Sequence, residues 1–258
     1  MGLFAEVRNL SSAKAPLVLL HGFGGIGAAW EPVLRRLDLD LPLILYDLPG
    51  HGRSLDAEGV GHAGVMAKAV LGDLDRRGIS RFHLCGHSMG GAIASLIALK
   101  ASGRARSLTL LAPGGFGAEI SHEALRSYAS AVEIDELALG LAAMFASGSM
   151  PDPAGLDRFA EARRLSGATD RLMEILRSFL VETDGRIGQG ILPLTSFESS
   201  GVPTRLLWGT GDPILPVAQA KSIWTGAEVT LIEGAGHMLI DEAPDAVASA
   251  IAAALQTG

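Results

Sequence analysis

Along most of the chain, short and mainly apolar runs alternate with longer stretches whose apolar residues recur at helical spacing. The runs Leu17–Leu20, Leu43–Tyr46, Arg81–Cys85, Ser107–Leu111, Thr204–Trp208 and Glu228–Ile232 end at turn residues, the signature of strands. Between them, Ala28–Leu37, Ala63–Arg77, Ala92–Lys100, Val217–Trp224 and Pro244–Leu255 predict helices. The second of these carries Val65, Ala69, Leu71 and Leu74 at helical spacing and stops at Gly78. Residues 3–10 predict one further strand, and Ser11 to Pro16 a turn. From about residue 118 to 198 the alternation stops. Glu123–Leu141 and Leu156–Leu180 carry apolar periodicity, Pro151 and Pro153 break between them, and the stretch reads as helical throughout. Strands alternating with helices give a mainly parallel sheet with helices on both faces. The expected class is therefore α/β. Residues 1–117 and 199–258 form the core, and 118–198 a helical lid over the carboxyl ends of the strands, where open α/β sheets bind ligands. No internal repeat is visible.

Composition narrows the partners. At 258 residues, 48% of them hydrophobic, the chain suits one α/β domain with an insertion, or two small domains, and is not disordered. Glycine is close to twice its usual share, and its 33 residues fall mostly where apolar runs end, so it reads as turn chemistry. A net charge of −7 with no lysine or arginine cluster argues against nucleic acid and anionic membrane surfaces. The single cysteine, Cys85, cannot form an internal disulfide, which fits a reducing compartment and hence the cytoplasm. It reads as a small buried residue. Leu17–Leu20 is too short for a signal peptide, and Glu6 sits where a myristoylation motif after Met1-Gly2 wants serine or threonine. No segment is long and apolar enough to span a bilayer. A small molecule is the expected partner, and a homo-oligomer is left open.

The chemistry centres on Gly86-His87-Ser88-Met89-Gly90-Gly91, which stands between the strand-like Arg81–Cys85 and the helix-like Ala92–Lys100. A strand, a sharp turn with serine at its apex, then a helix is a nucleophile elbow. Such a turn strains the serine backbone, and a side chain at position 86 or 90 would strike the neighbouring strand or helix, so both are glycine. The following helix aims free N–H groups and its positive dipole end at the same spot. The plainer reading is a glycine-rich turn whose serine caps the helix.

A competing signature lies upstream. Gly22-Phe23-Gly24-Gly25-Ile26-Gly27 spells G-x-G-x-x-G after a strand, and Asp47 closes the next strand at roughly the dinucleotide-fingerprint distance. Against it, His21 precedes the glycines in a pattern that also suits an oxyanion loop. Asp47 runs into the tight turn Leu48-Pro49-Gly50-His51-Gly52-Arg53-Ser54, which gives its carboxylate little reason to face a ribose. The dinucleotide reading also leaves the serine elbow and the C-terminal Asp and His without a role.

A serine hydroxyl needs a base within hydrogen-bond reach. Of the seven histidines, His237 follows the last strand in Gly234-Ala235-Gly236-His237, at the sheet end where a loop can lean over Ser88. The base needs a carboxylate to fix its tautomer. Asp212 follows the penultimate strand in Trp208-Gly209-Thr210-Gly211-Asp212-Pro213, although an ordinary Asp-Pro turn is the plainer account of it. Serine, acid, histidine is the order expected on an elbow fold. Glu119 is the alternative acid, while Asp241 and Glu242 are placed at the entrance of the last helix. For an oxyanion, Met89 offers one N–H and Phe23 the other, with Gly24 as second choice. His21 is expected to brace its loop and His51 the Pro49–Ser54 turn; His87 is left open between packing and lining the site. No metal cluster or phosphate loop is visible.

Jointly, His21-Gly22-Phe23-Gly24-Gly25, Asp47–Ser54, Gly86–Gly91, Gly211-Asp212 and Gly236-His237 resemble the α/β-hydrolase superfamily and span nearly the whole core. More narrowly, Leu110–Ile120 is similar to the hydrolase-like domain of acetoin-dehydrogenase acyltransferase subunits and to the carbon–carbon bond (meta-cleavage product) hydrolases of aromatic degradation. The resemblance implies the α/β-hydrolase fold and no cofactor. No lipoyl domain precedes Leu17, so the expectation is a standalone serine hydrolase of a small carboxylic ester or related acyl compound. The apolar lid residues Leu137, Leu139, Leu141, Met144 and Phe145 suggest a mostly apolar substrate, with Met144 and Phe145 at the pocket. The alternatives are carbon–carbon cleavage of a β-diketone-like substrate, or a slow-turnover ligand-binding protein. Turnover of simple aryl esters separates the last from the other two.

Overall fold

Leu17–Leu20 and Leu43–Tyr46 have no polar position to turn toward water, so each can be accommodated only with both faces covered. They form adjacent parallel strands at the centre of a sheet and are buried throughout. The computed structural model describes residues 2–9, 12–38, 40–101, 103–150, 153–223 and 225–257. Among them the strands are β1 (Ala5–Arg8), β2 (Leu17–Leu20), β3 (Leu43–Tyr46), β4 (Phe82–His87), β5 (Ala105–Leu111), β6 (Leu180–Thr183), β7 (Arg186–Gln189), β8 (Thr204–Gly209) and β9 (Glu228–Ile232). The α-helices are α1 (Glu31–Leu34), α2 (Ala63–Arg76), α3 (Met89–Lys100), α4 (His122–Ser130), α5 (Ile134–Ala142), α6 (Pro153–Arg163), α7 (Ala168–Phe179), α8 (Leu239–Glu242) and α9 (Pro244–Thr257).

Seven strands make one sheet in the order β1-β3-β2-β4-β5-β8-β9, parallel except for β1. Helix α3 packs on β4 and β5 and against α2, while α9 packs on β5 and β8 and against α1. The core between these layers is dense in aliphatic residues with no exposure, among them Leu19, Leu20, Ile93, Ile97, Leu108 and Leu110. Burying each such side chain stabilises the fold by about 1.5–3 kcal/mol. One polar group buried among them is the Tyr46 hydroxyl, which donates to Asp73, itself bonded by Arg77 and Arg76.

Several expected boundaries shift for identifiable reasons. The helix expected over Ala28–Leu37 is a 3-10 turn, Gly27–Trp30, leading into the single turn α1 with Pro32 in its first turn. Val217–Ser222 is likewise a 3-10 turn, and Trp224, the expected end of that helix, lies outside the described residues. So do Leu10, Ser11 and Pro151, which belonged to the expected first strand, its turn and the helix break. Glu123–Leu141 divides into α4 and α5, whose start is fixed by a capping box between Glu133 and Glu136. Leu156–Leu180 divides at Gly167, which takes a left-handed conformation (φ 82°) that a helix interior does not tolerate.

The larger correction is that residues 118–198 are not helical throughout. Leu180–Gln189 folds into the two-stranded hairpin β6–β7. Its turn, Asp184-Gly185, has positive φ at both residues (51° and 71°), the type I′ geometry that an Asp-Gly pair favours. That dipeptide was the available signal.

Candidate active site

Ser88 sits between the end of β4 and the start of α3 with φ 52° and ψ −118°, a conformation costly for any residue with a β-carbon. Its neighbours make that turn tight. A β-carbon on Gly86 would lie 2.3 Å from the Gly90 carbonyl oxygen, and one on Gly90 would lie 2.3 Å from that of Leu20. The Ser88 N–H donates to the Leu111 carbonyl of β5, and its carbonyl accepts from Ala92 and Gly114. The hydroxyl is thereby pinned on a rigid post at the carboxyl end of the sheet.

Two further strand ends supply its partners. Gly209, which ends β8, and Gly211 just beyond it let the chain pass against the Ala235 and Gly236 carbonyls, where a β-carbon on Gly209 would stand 2.3 Å from both. Asp212 follows, its Oδ1 accepting from the Ile214 and Leu215 amides at 2.8 and 2.9 Å. Its Oδ2 lies 2.8 Å from His237 Nδ1. His237, in the loop after β9, has Nε2 2.9 Å from Ser88 Oγ, although the two residues are 149 positions apart. The Asp212 and His237 side chains are 0% and 2% exposed. An ionised carboxylate only accepts, so Nδ1 carries the ring proton and Nε2 is left to accept from the serine hydroxyl. A hydroxyl, imidazole and carboxylate in such a series can pass a proton to the ring as the oxygen attacks an electrophile. Glu119, the other candidate acid, is exposed, and among the described residues its hydrogen bonds are made by its backbone carbonyl, with Gln189 and Gln219.

The donors considered for an oxyanion border the same hydroxyl. Phe23, Ser88 and Met89 line one chamber. The Met89 amide opens α3, where nothing within the helix can accept from it. The Gly24 amide, by contrast, donates to His51 Nε2 at 3.1 Å. For the Phe23 amide no acceptor occurs among the described residues.

Three of the other histidines, His21, His51 and His87, hold loops. His21 Nδ1 donates to the Gly22 carbonyl, and its Nε2 accepts from the Leu48 amide at 2.9 Å. His51 Nδ1 donates to the Pro49 carbonyl. Asp47 accepts from the Gly27 and Arg53 amides, so both of its oxygens are engaged within the turn. His87, left open in the sequence, donates through Nε2 to the His237 carbonyl at 2.8 Å. Burial pushes His21 down to about 4 and His51 and His87 to about 3, so all three stay neutral. The stability consequence has a definite sign. Below about pH 6.5 the unfolded chain takes up protons that the folded protein refuses, so stability is full above that pH and falls as pH drops toward 4. Each of the three histidines contributes about 1.4 kcal/mol per pH unit over that range. Thermal unfolding between pH 7.5 and 4.5 is expected to show the loss beginning near 6.5, with uptake of about three protons on unfolding at pH 5. A midpoint that is flat down to pH 5 would contradict it.

Ser88 lies between two chambers. The larger, of about 320 Å³, is lined by Ala92, Leu96, Ile120, Leu125, Phe179 and Leu192, among others, with Val181 and Ile191 of the hairpin region also on its wall. The smaller, about 30 Å³, lies toward His237, Tyr128 and Met144. The expected pocket residues are only partly there. Met144 reaches the smaller chamber, but Phe145 lines neither and borders a surface groove with Arg35 and Glu242. Leu139 is 72% exposed. Sequence reading missed Tyr128, whose hydroxyl donates to the Gly24 carbonyl, and Gln189, which accepts from the Gly115 amide and donates to the Gly117 carbonyl. Both contacts join the insertion to core loops more than seventy positions away, so no local pattern announces them. Neither chamber is lined by a lysine or arginine, and the described residues contain no metal-binding cluster of His, Cys, Asp or Glu.

Comparison with known proteins places these features in context. The model of the alpha/beta hydrolase family matches residues 17–250. The dihydrolipoyllysine-residue acetyltransferase component of the acetoin cleaving system of Pseudomonas putida is 33% identical over 90% of this chain and 61% of its own length. The chain thus spans about three fifths of that relative. Among solved structures, carboxylesterase CesB of Bacillus subtilis superposes with a TM-score of 0.79 at 18% identity, covering 96% of this chain and 85% of its own. The 2-hydroxy-6-oxo-6-phenylhexa-2,4-dienoate hydrolase of Rhodococcus sp. strain RHA1 gives 0.78 at 19% identity, covering 98% and 94%. At such identities these two likenesses speak for the fold alone.

Proposed function

The chain belongs to the alpha/beta hydrolase family, and from that membership we propose that it is a serine hydrolase of neutral carboxylic esters with a mainly apolar acyl or alcohol part. The observation that carries the reading is the series from Ser88 Oγ through His237 to Asp212, with both bonds under 3.0 Å. In this reading Ser88 attacks the ester carbonyl while His237 Nε2 takes its proton. The tetrahedral oxyanion is held by the Phe23 and Met89 amides, with the dipole of α3 behind Met89. His237 then returns the proton to the leaving alcohol, and a water activated by the same ring frees the acyl group. Asp212 holds the ring in its tautomer and stabilises the imidazolium. Residues 118–198 serve as the cap, since α4, α7 and the β6–β7 hairpin supply Leu125, Phe179 and Val181 to the larger chamber.

The charge of the chambers separates this reading from carbon–carbon cleavage. A dienoate such as the one named for the Rhodococcus hydrolase brings a carboxylate into the site. Here it would find no lysine or arginine on either wall, and Asp241 on the smaller one. A buried charge left unpaired costs several kcal/mol. Accordingly 4-nitrophenyl hexanoate should be hydrolysed with a kcat/KM on the order of 10² or more above that of the 4-nitrophenyl half-ester of adipic acid, in which a carboxylate replaces the terminal methyl. Steady-state kinetics on the pair, with mass analysis of a quenched reaction for an acyl group on the Ser88 peptide, tests the proposal. Equal rates on the two esters would remove the neutral-substrate claim, and the absence of both turnover and acylation would remove the hydrolase reading.

A further inference from the structure

His237 stands on a loop, yet a base that must meet Ser88 at 2.9 Å needs a backbone as fixed as a strand. What fixes it lies in α8. Glu242 Oε1 accepts from the Gly236 amide at 3.1 Å, and its Oε2 accepts from the Met238 amide at 3.1 Å. One carboxylate therefore grips the residues on both sides of the histidine. The same Oε1 accepts from the Ala146 amide at 2.8 Å, in the segment that follows α5 in the insertion. Between these contacts, the His237 amide donates to the Met144 carbonyl at 2.9 Å, and the His237 carbonyl accepts from His87. The two segments touch so closely that a β-carbon on Gly236 would lie 2.2 Å from the Ala146 nitrogen.

We propose that Glu242 is a positioning residue for His237, and that the same carboxylate ties the insertion to the histidine loop so that the seating of one sets the other. The inference rests on His237 acting as the base. The chemistry asks for a carboxylate at 242. Three N–H groups converge on two oxygens, and only an acceptor-only side chain satisfies donors on both of its sides. A glutamine of the same size has one acceptor oxygen and would turn its NH2 toward at least one N–H. Glu242 lines neither chamber at Ser88, so its loss should act on the geometry of the base and spare substrate binding.

Glu242→Gln and Glu242→Ala are the direct tests, assayed with 4-nitrophenyl hexanoate and with a fluorophosphonate that labels Ser88. A misplacement of the order of 1 Å at a reacting group costs up to about 10² in rate. For Glu242→Gln we expect kcat to fall by roughly that factor, KM to stay within about threefold, and the labelling rate to fall in parallel with kcat, with a larger fall in Glu242→Ala. A helix-end role alone would lower the unfolding temperature while leaving kcat and labelling of the folded protein at their original values, and that result overturns the proposal. Should neither variant fold, hydrogen exchange on the unaltered protein decides. The Gly236, Met238 and Ala146 amides are expected to be protected and to open together, and free-loop exchange at Gly236 and Met238 refutes the grip. The two readings fail separately. Full activity in Ser88→Ala defeats the hydrolase mechanism, whereas an inactive Ser88→Ala beside a fully active Glu242→Gln defeats only the role of Glu242.

Discussion

Ser88→Ala is expected to lower kcat on a neutral aryl ester by roughly 10⁶-fold, the scale found when the nucleophile of such a hydrogen-bonded series is removed. The size follows from the geometry. Without the hydroxyl, His237 Nε2 faces a methyl group and no acyl group can be attached. The substitution should leave the fold intact, because alanine meets the same backbone strain at φ 52° and removes a single atom. Circular dichroism and thermal unfolding should therefore match the parent within error, while fluorophosphonate labelling disappears. A folded Ser88→Ala protein that turns over aryl esters at the original rate would place the chemistry elsewhere.

Asp212→Asn should cost on the order of 10⁴ in kcat, the magnitude known for the corresponding change in a serine protease. Asparagine can keep its oxygen on the Ile214 and Leu215 amides, which hold Oδ1 at 2.8 and 2.9 Å. Its NH2 then replaces Oδ2 opposite His237 Nδ1. A donor there drives the ring proton to Nε2, where it meets the serine hydroxyl as a second donor. The base is present but in the wrong tautomer. Glu119→Gln is the paired control and should change kcat less than twofold, since its side chain is exposed and Gln189 and Gln219 bind only its backbone carbonyl. Steady-state kinetics on the two variants settles the acid: a large loss in Glu119→Gln with Asp212→Asn nearly unaffected would reverse the assignment.

The range of the forces involved decides how much of this fold and site is legible in the sequence. The elbow was legible because its spelling is local: Gly86 must be glycine because its β-carbon would strike Gly90 four residues on, and Gly90 because β2 passes against it at Leu20. Asp212 and His237 were legible for a different reason. Each follows a strand, and a parallel sheet brings all such ends to one edge regardless of the distance between them in the chain. The chamber was not legible. Met144 and Phe145 were expected at the pocket from apolarity alone, which does not distinguish a side chain facing a cavity from one packed on the core; Met144 reaches the smaller chamber and Phe145 neither. The wall of the larger chamber is instead supplied largely by Phe179, Val181 and Leu192, around a hairpin whose Asp184-Gly185 turn was passed over inside a helical-looking stretch. The role of His87 was undecidable for the same reason, its partner being a backbone carbonyl 150 positions away.

That distance has a consequence for how the chain reaches its working form. The hydroxyl and the ring that must meet are separated by 149 positions, with β5, the whole insertion, β8 and β9 between them. Closing so long a loop comes at an entropic cost that nearby helical contacts do not share, and sheets built from distant segments fold slowly. Helix α3 can form around Ser88 early, but the hydroxyl stays without a base until β8 and β9 have docked on β5. Recovery of activity after dilution from denaturant is thus a clock for the last long-range contact, and it should run behind the recovery of helical signal.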